Sequence, residues 1–237
     1  PLQVQLGNLD LNGLGRAAGL QDSLVGGTLN GQAVAYNLGR TGQAFTADLT
    51  LNGLAYNKYV LGNLRAQVQN NTADRYDLNA QLTNTDGTDV RLTGYYATSG
   101  AIDVVADIAQ FNLKAIEPFS AGQIQESTGA LTGRFAVTGT TDAPQLRGAA
   151  RFRDAGFTLT QLGAPFRLSD QELTLTDRGL HFDQFAIIDS LGQRAIVDGY
   201  IVPARQLAQV GQYRLQLDVT TDRFLAVQST RRENPLY

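Results

Sequence analysis

Gly87-Thr-Asp-Val-Arg-Leu-Thr-Gly-Tyr95 returns 105 residues later, at 192, as Gly192-Gln-Arg-Ala-Ile-Val-Asp-Gly-Tyr200. Apolar and polar residues alternate in the middle of the first copy, and a Gly-Tyr pair closes both. A period of two is that of an extended strand, whose side chains point in turn to its two faces. Working outward, Gly27-Thr-Leu-Asn-Gly31 returns as Gly129-Ala-Leu-Thr-Gly133, an offset of 102 from 27 to 129. Asp107-Ile108 returns as Asp218-Val219 and Ala115-Ile116 as Ala226-Val227, both 111 residues on. An offset that grows in small steps is what loop insertions produce. The chain from Ser23 to Val227 therefore reads as two copies of one β unit of roughly a hundred residues, in which neighbouring units supply burial that one unit lacks.

The same parity recurs along the chain. Leu2, Val4 and Leu6 share one face, as do Phe45, Ala47, Leu49 and Leu51, and then Tyr76, Leu78, Ala80 and Leu82. Ile102/Val104/Ala106/Ile108, Leu131/Gly133/Phe135/Val137, Leu173/Leu175 and Tyr213/Leu215/Leu217/Val219 follow suit. Turn signals separate them at Asp86-Gly87, Thr98-Ser-Gly100, Asp142-Ala-Pro144, Asp154-Ala-Gly156, Asp177-Arg-Gly179 and Leu191-Gly192. Short turns imply antiparallel neighbours, about fifteen strands of six to nine residues at this spacing. The best break in the pattern is Ala109 to Glu126, where Pro118 follows Leu113-Lys-Ala-Ile116 and predicts a short helix. Arg16–Leu20 and Phe224–Gln228 occupy equivalent places before the first copy and after the second.

Composition narrows the function classes. Hydrophobic residues make up 43% of the 237 and charged residues only 17%, so the chain can bury a core but has a weakly charged surface. The net charge is −3, with no basic stripe to release counterions, which argues against nucleic acid as a partner. There is no cysteine, and the longest apolar runs are of four residues, far short of the ~20 that a spanning helix needs. The N-terminus shows no signal-peptide pattern, and the chain reads as an internal piece of something longer.

A sheet of this size that is apolar on one side would expose more apolar area than water tolerates. It must become a sandwich, a barrel, or a trough with an apolar lining. There is no Trp or Met to interdigitate in a sandwich, and the inward set is mainly aliphatic. Inward Gly94, Gly133 and Gly199 allow sharp strand bending. The expected fold is all-β, a long curved antiparallel sheet folded into a U-shaped hydrophobic groove, with minor short helices. Residues 1–22 would continue a preceding repeat, 23–118 and 119–230 would form repeats one and two, and 231–237 would begin a following segment. The expected lining is Leu49, Leu51, Leu78, Leu82, Val104, Ile108, Phe135, Val137, Phe152, Leu173, Leu175, Phe182, Leu215 and Leu217.

Catalytic chemistry finds little support. His181 is the only histidine, and Asp183 follows two residues on, but no nucleophile completes a triad. Without cysteine or a second histidine a zinc site is nearly excluded. Asp86-Gly-Thr-Asp89 lacks the spaced ligands of a calcium loop and reads as a turn. Gly26-Gly27 lacks the lysine and helix of a phosphate loop. Glu117-Pro118 and Arg231-Arg232 read as linker residues. The expectation is a non-enzyme without cofactor or metal.

Three segments carry a family resemblance: Leu113–Phe119 running into Ser127–Gly148, then Phe166–Gly199, then Asp222–Tyr237. The spacing Gly-x-Leu-x-Gly-x-x-x-Val-x-Gly-x-x-x-x-Pro-x-Leu-x-Gly, held by Gly129 to Gly148, resembles the C-terminal domain of the TamB family and its AsmA-like relatives, in the form found in Bacteroidota. The first copy departs from it, with no proline after Val34. What the resemblance implies is a β-taco, akin to repeat β-groove lipid-transfer proteins, in the periplasm and anchored in the inner membrane by a helix outside this segment. It further implies phospholipid as cargo, an Omp85-type outer-membrane barrel as partner, and a part in outer-membrane biogenesis. The alternative is a module that assists outer-membrane protein assembly and secretion by pairing its sheet edge with client strands.

Overall fold

Which residues can share a face is fixed once strand register is known, because directly opposed residues of antiparallel strands point the same way. The computed structural model describes residues 1–13, 25–37, 44–72, 74–120, 122–203 and 213–227. Seven strands come first: β1 (Leu2–Asp10), β2 (Val25–Tyr36), β3 (Ala44–Tyr56), β4 (Tyr59–Thr72), β5 (Arg75–Thr83), β6 (Asp89–Ala97) and β7 (Ala101–Asn112). After the 3-10 segment Leu113–Phe119 follow β8 (Ile124–Thr140), β9 (Ala143–Leu159), β10 (Ala164–Leu168), β11 (Glu172–Thr176), β12 (Gly179–Ile188), β13 (Arg194–Pro203) and β14 (Tyr213–Thr220). All fourteen belong to one antiparallel sheet that runs in chain order, except that β11 lies beside β9 and β12 in the place that β10 occupies further along.

Contacts divide the chain into two compact units, 1–111 with 136–145, and 112–135 with 146–237. In the first, three rows of side chains cross seven strands on one face. They are Leu9–Leu29–Leu51–Leu64–Leu82–Val90–Ile108, then Leu6–Gly31–Leu49–Ala66–Ala80–Leu92–Ala106, then Val4–Ala33–Ala47–Val68–Leu78–Gly94–Val104. The opposite face carries rows such as Gln5–Gln32–Asp48–Gln67–Asn79–Thr93. In the second unit the buried cluster Leu113, Ala155, Leu168, Phe185 and Val197 takes one residue from the 3-10 segment and the rest from β9, β10, β12 and β13.

Fourteen strands among the described residues agree with the fifteen or so expected, but several are longer than the turn signals suggested. β8 and β9 are each 17 residues long. Asp154-Ala-Gly156 is not a turn; it lies inside β9, where Asp154 adopts φ +49° and the strand continues through the irregularity. Extra residues recur as bulges, between Leu6 and Leu9, Leu51 and Leu54, and Phe182 and Phe185. Each three-residue step faces a two-residue step on the partner strand, so both apolar ends return to the same face. The residue left out of the ladder has its N–H taken by the next strand. Asn8 donates to Asn30 Oδ1 at 2.7 Å, Gly53 to Asn63 Oδ1 at 2.9 Å and Gln184 to Asp198 Oδ1 at 2.7 Å.

Among the described residues helix is short, at 11–13 after β1 and at Leu113–Phe119. Leu113–Phe119 is 3-10, opened by the Asn112 side chain, which accepts the Lys114 N–H at 2.9 Å, and it contains Pro118. The expected helix at Arg16–Leu20 lies outside the described residues. Phe224–Val227 is not helical. Leu225 donates its N–H to the Asp189 carboxylate at 2.7 Å, across 36 residues, rather than to a carbonyl one turn back.

The repeat is visible in the glycines. A Cβ on Gly94 would strike the Asp103 carbonyl and one on Gly199 the Gln216 carbonyl, and both residues sit at φ values, +151° and +124°, that L side chains rarely adopt. Gly199→Ala is therefore expected to destabilise by ~1–3 kcal/mol, with a fall in Tm of ~2–4 °C per kcal/mol in a thermal melt, whereas Gly192→Ala, with no atom near its Cβ, should cost less.

Candidate functional site

The fourteen residues expected to line a groove lie on apolar faces, but they do not form one set. Leu49, Leu51, Leu78, Leu82, Val104 and Ile108 stand in the three rows of the first unit, and of these only Leu51 is buried, the others being half-buried. Val137 follows Phe135 along β8 with the same parity. In the second unit Phe135 stands against Gly148, next to which come Leu175, Leu180, Ile201 and Leu215 in one row. Leu217 faces Gly199 and packs against the buried cluster, while Leu215 is 58% exposed at the sheet edge.

Phe152, Leu173 and Phe182 line a cavity of about 330 Å³ together with Leu113 and Ile116 of the 3-10 segment. Phe185, which packs edge-on against both Phe152 and Phe182 with ring centroids 5.9 and 5.2 Å away, completes that wall. The remaining lining is Ile124, Ser127, Gly156, Phe157, Leu159, Leu168, Ile187 and Ile201, so no charged side chain faces the space. A cavity of this size and lining suits an aliphatic chain better than any polar substrate. The 3-10 segment is fastened beside it, because Glu117 Oε1 accepts the Ser127 N–H at 2.6 Å. Glu117 is thus a fastening residue and not a linker. In the first unit, by contrast, a depression of about 480 Å³ opens on the polar face among Asp48, Thr50, Arg65, Gln67, Asn79 and Gln81.

Comparison with known protein families, with functionally described proteins and with solved structures gives no match. The chemistry of the site must therefore be read from its own residues.

His181 lies on the outer face of the second unit, opposite Tyr200 in the register. Its ring stacks on Tyr200 at 4.4 Å, and the Arg178 guanidinium sits 4.1 Å over the same tyrosine. That packing uses the imidazole face as surface cover, and Thr174 Oγ1 lies 3.4 Å from its Nδ1. Asp86 accepts the Thr88 N–H at 2.9 Å within the β5–β6 turn, as the sequence of that turn suggests.

Four of the missed wall residues have a common cause. Phe185 and Ile187 are out of phase with Leu180 and Phe182 in the sequence, and so are Phe157 and Leu159 with Phe152. Only the bulge before each brings them to the same face. Asp-Gln at 183–184 and Arg-Asp at 153–154 were the signals, polar pairs at which an apolar i, i+2 pattern becomes i, i+3.

One carboxylate holds the segment after β14 in place. Asp189, 1% exposed, accepts N–H groups from Leu191 at 2.9 Å, Gln193 at 2.8 Å and Leu225 at 2.7 Å, and Phe224 stacks on Phe166 with centroids 5.7 Å apart. Burial pushes its pKa up, but the N–H groups of Leu225, Gln193, Leu191 and Gly192 outweigh burial and hold it below the ordinary carboxylate value. A depressed folded-state pKa contributes stability that is complete above the unfolded value of about 3.9 and is lost as pH falls through the folded one. The Tm difference between wild type and Asp189→Asn should accordingly be constant from pH 5 to 7 and shrink on acidification below ~4, read by thermal melts along a pH series.

Proposed function

We propose that the apolar face of the sheet holds lipid acyl chains, and that the protein works by shielding and passing them rather than by catalysing a reaction. The observation that carries this reading is the trio of rows in the first unit, apolar at almost every position across seven strands yet mostly only half-buried. Each buried CH₂ contributes ~0.8 kcal/mol, so a sixteen-carbon tail gains on the order of 10 kcal/mol before the cost of immobilising it. No charged side chain interrupts the rows, so affinity depends on chain length more than on headgroup. The cavity walled by Phe152, Phe182 and Phe185 extends the same chemistry in the second unit. The resemblance to the TamB family supports phospholipid as the cargo, the periplasm as the location and an Omp85-type barrel as the partner.

A second reading rests on β1, which ends the sheet among the described residues. Leu2 and Val4 are 56% and 44% exposed there, and the strand carries no charge before Asp10. An uncharged edge whose outer side meets no other described strand suits strand addition by an extended client chain, as in outer-membrane protein assembly.

Native mass spectrometry of the purified protein separates the two. Co-purified phospholipid is expected for wild type, and Leu82→Lys, which sets a charge in the middle of a row, should reduce its occupancy at least tenfold with the far-ultraviolet circular dichroism unchanged. A lipid-free wild type that also fails to extract lipid from vesicles would end the acyl-chain reading. Gln5→Pro, on the polar face and outside the apolar rows, should leave lipid occupancy intact and abolish capture of β-strand peptides if β1 is a template; equal capture by the variant would dismiss that role.

A further inference from the structure

The opposite end of the sheet differs from β1 in being charged. Strand β14 carries Arg214, Gln216, Asp218 and Thr220 on the outer face, and Leu215, Leu217 and Val219 on the apolar one. Among the described residues it pairs only with β13, and Leu215 and Val219 are 58% and 60% exposed. The chain beyond it, at Phe224 and Leu225, turns back to Phe166 and Asp189.

Two charges on this edge are unmatched. Asp218 lies directly opposite Asp198 in the β13–β14 register, and opposed like charges on neighbouring strands repel. The Asp198 carboxylate is already bonded to the N–H and the side-chain amide of Gln184, at 2.7 and 2.8 Å. Neither Arg214 nor Asp218 has an ion-pair partner among the described residues. A cation arriving from the side of β14 away from β13 would relieve the repulsion.

We infer that β14 pairs with β14 of a second copy of this chain, antiparallel about a two-fold axis through Gln216. Opposed residues must share a face, so the two-fold can pass only through a residue and never between two. Centred on Gln216, it sets Arg214 of each copy opposite Asp218 of the other, and Leu215 opposite Leu217. Centred on Leu217, it sets Arg214 opposite Thr220 and Gln216 opposite Asp218, which leaves both arginines unpaired. The charge pattern therefore selects the first register. The axis is normal to the sheet at the junction, so the apolar faces of the two β14 strands point the same way and the Leu215–Leu217–Val219 stripe doubles in width. The pairing does not depend on the acyl-chain reading, since it uses backbone edges and outer-face charges.

Sedimentation equilibrium at low salt tests it. Wild type is expected to dimerise, with the dimer weakened as salt screens the pairs. Arg214→Asp should weaken dimerisation at least tenfold, and the double variant Arg214→Asp/Asp218→Arg should restore it. Because the chain has no cysteine, Gln216→Cys should form a disulfide-linked dimer on oxidation, and Thr220→Cys should not. A monomeric wild type at high concentration, no rescue by the double reversal, or equal cross-linking at both cysteine positions would each overturn the inference.

Discussion

The structure depends on one constraint: residues opposed across an antiparallel ladder must face the same way, so a single polar residue at the wrong parity would break a row that crosses seven strands. That requirement makes the register of every strand answer to all the others. In the first unit it holds from β1 to β7 without a charged residue on the apolar face in the three central rows. The stability of the unit comes from this agreement more than from a dense core, since its buried apolar side chains are the scattered Ala47, Leu51, Ala80 and Val90.

Bulges bend the strands without violating the constraint, because each inserts one residue and thereby restores parity two residues later on the partner. The inserted residue loses its ladder bond, and an unpaired N–H costs free energy unless something accepts it. Asn30, Asn63 and Asp198 do so from the following strand at three separate bulges. Side-chain oxygens on the polar face thus act as part of the backbone ladder. Their substitution is a structural change even though they sit on the wet side of the sheet.

Much of this was legible from parity alone. The strands around Leu78, Val104 and Leu217 and the apolar identity of their faces follow from period two, and the Gly-Tyr repeat placed Gly94 and Gly199 at equivalent points. The sequence offset near the end of the repeat was less secure. The register pairs Gly94 with Val104 and Gly199 with Leu217, an offset of 113 from 104 to 217, where residue similarity had matched Ile108 to Val219 at 111. A slip of two leaves parity intact, which is why the strand assignments survived it. What parity could not reveal was any contact made after a bulge: Phe157, Phe185 and Ile187 belong to the cavity wall only because Asp154 and Gln184 adopt positive φ. The seat of Leu225 on Asp189 was hidden for another reason. It joins residues 36 apart through a backbone N–H, and no side-chain pattern at 225 announces that.

The two units use one pattern to different effect, and residue volume explains the difference. Seven of the fourteen positions in the second and third rows of the first unit are Gly31, Ala33, Ala47, Ala66, Ala80, Gly94 and Ala106, small residues that rise little above the backbone. The corresponding region of the second unit is built from Phe152, Phe157, Phe166, Phe182 and Phe185, whose rings meet one another at 5.2–6.0 Å. Aromatic side chains each bury 150–250 Å², enough for neighbours on one sheet to touch and close over a cavity, whereas alanine and glycine leave the face low and half-exposed. An apolar face with its volume left unfilled is unfavourable in water and gains from any aliphatic chain laid along it. The unit with the smaller side chains therefore leaves more of its apolar face uncovered, and this is why the acyl-chain binding we propose is placed in the rows through Leu49 and Leu82.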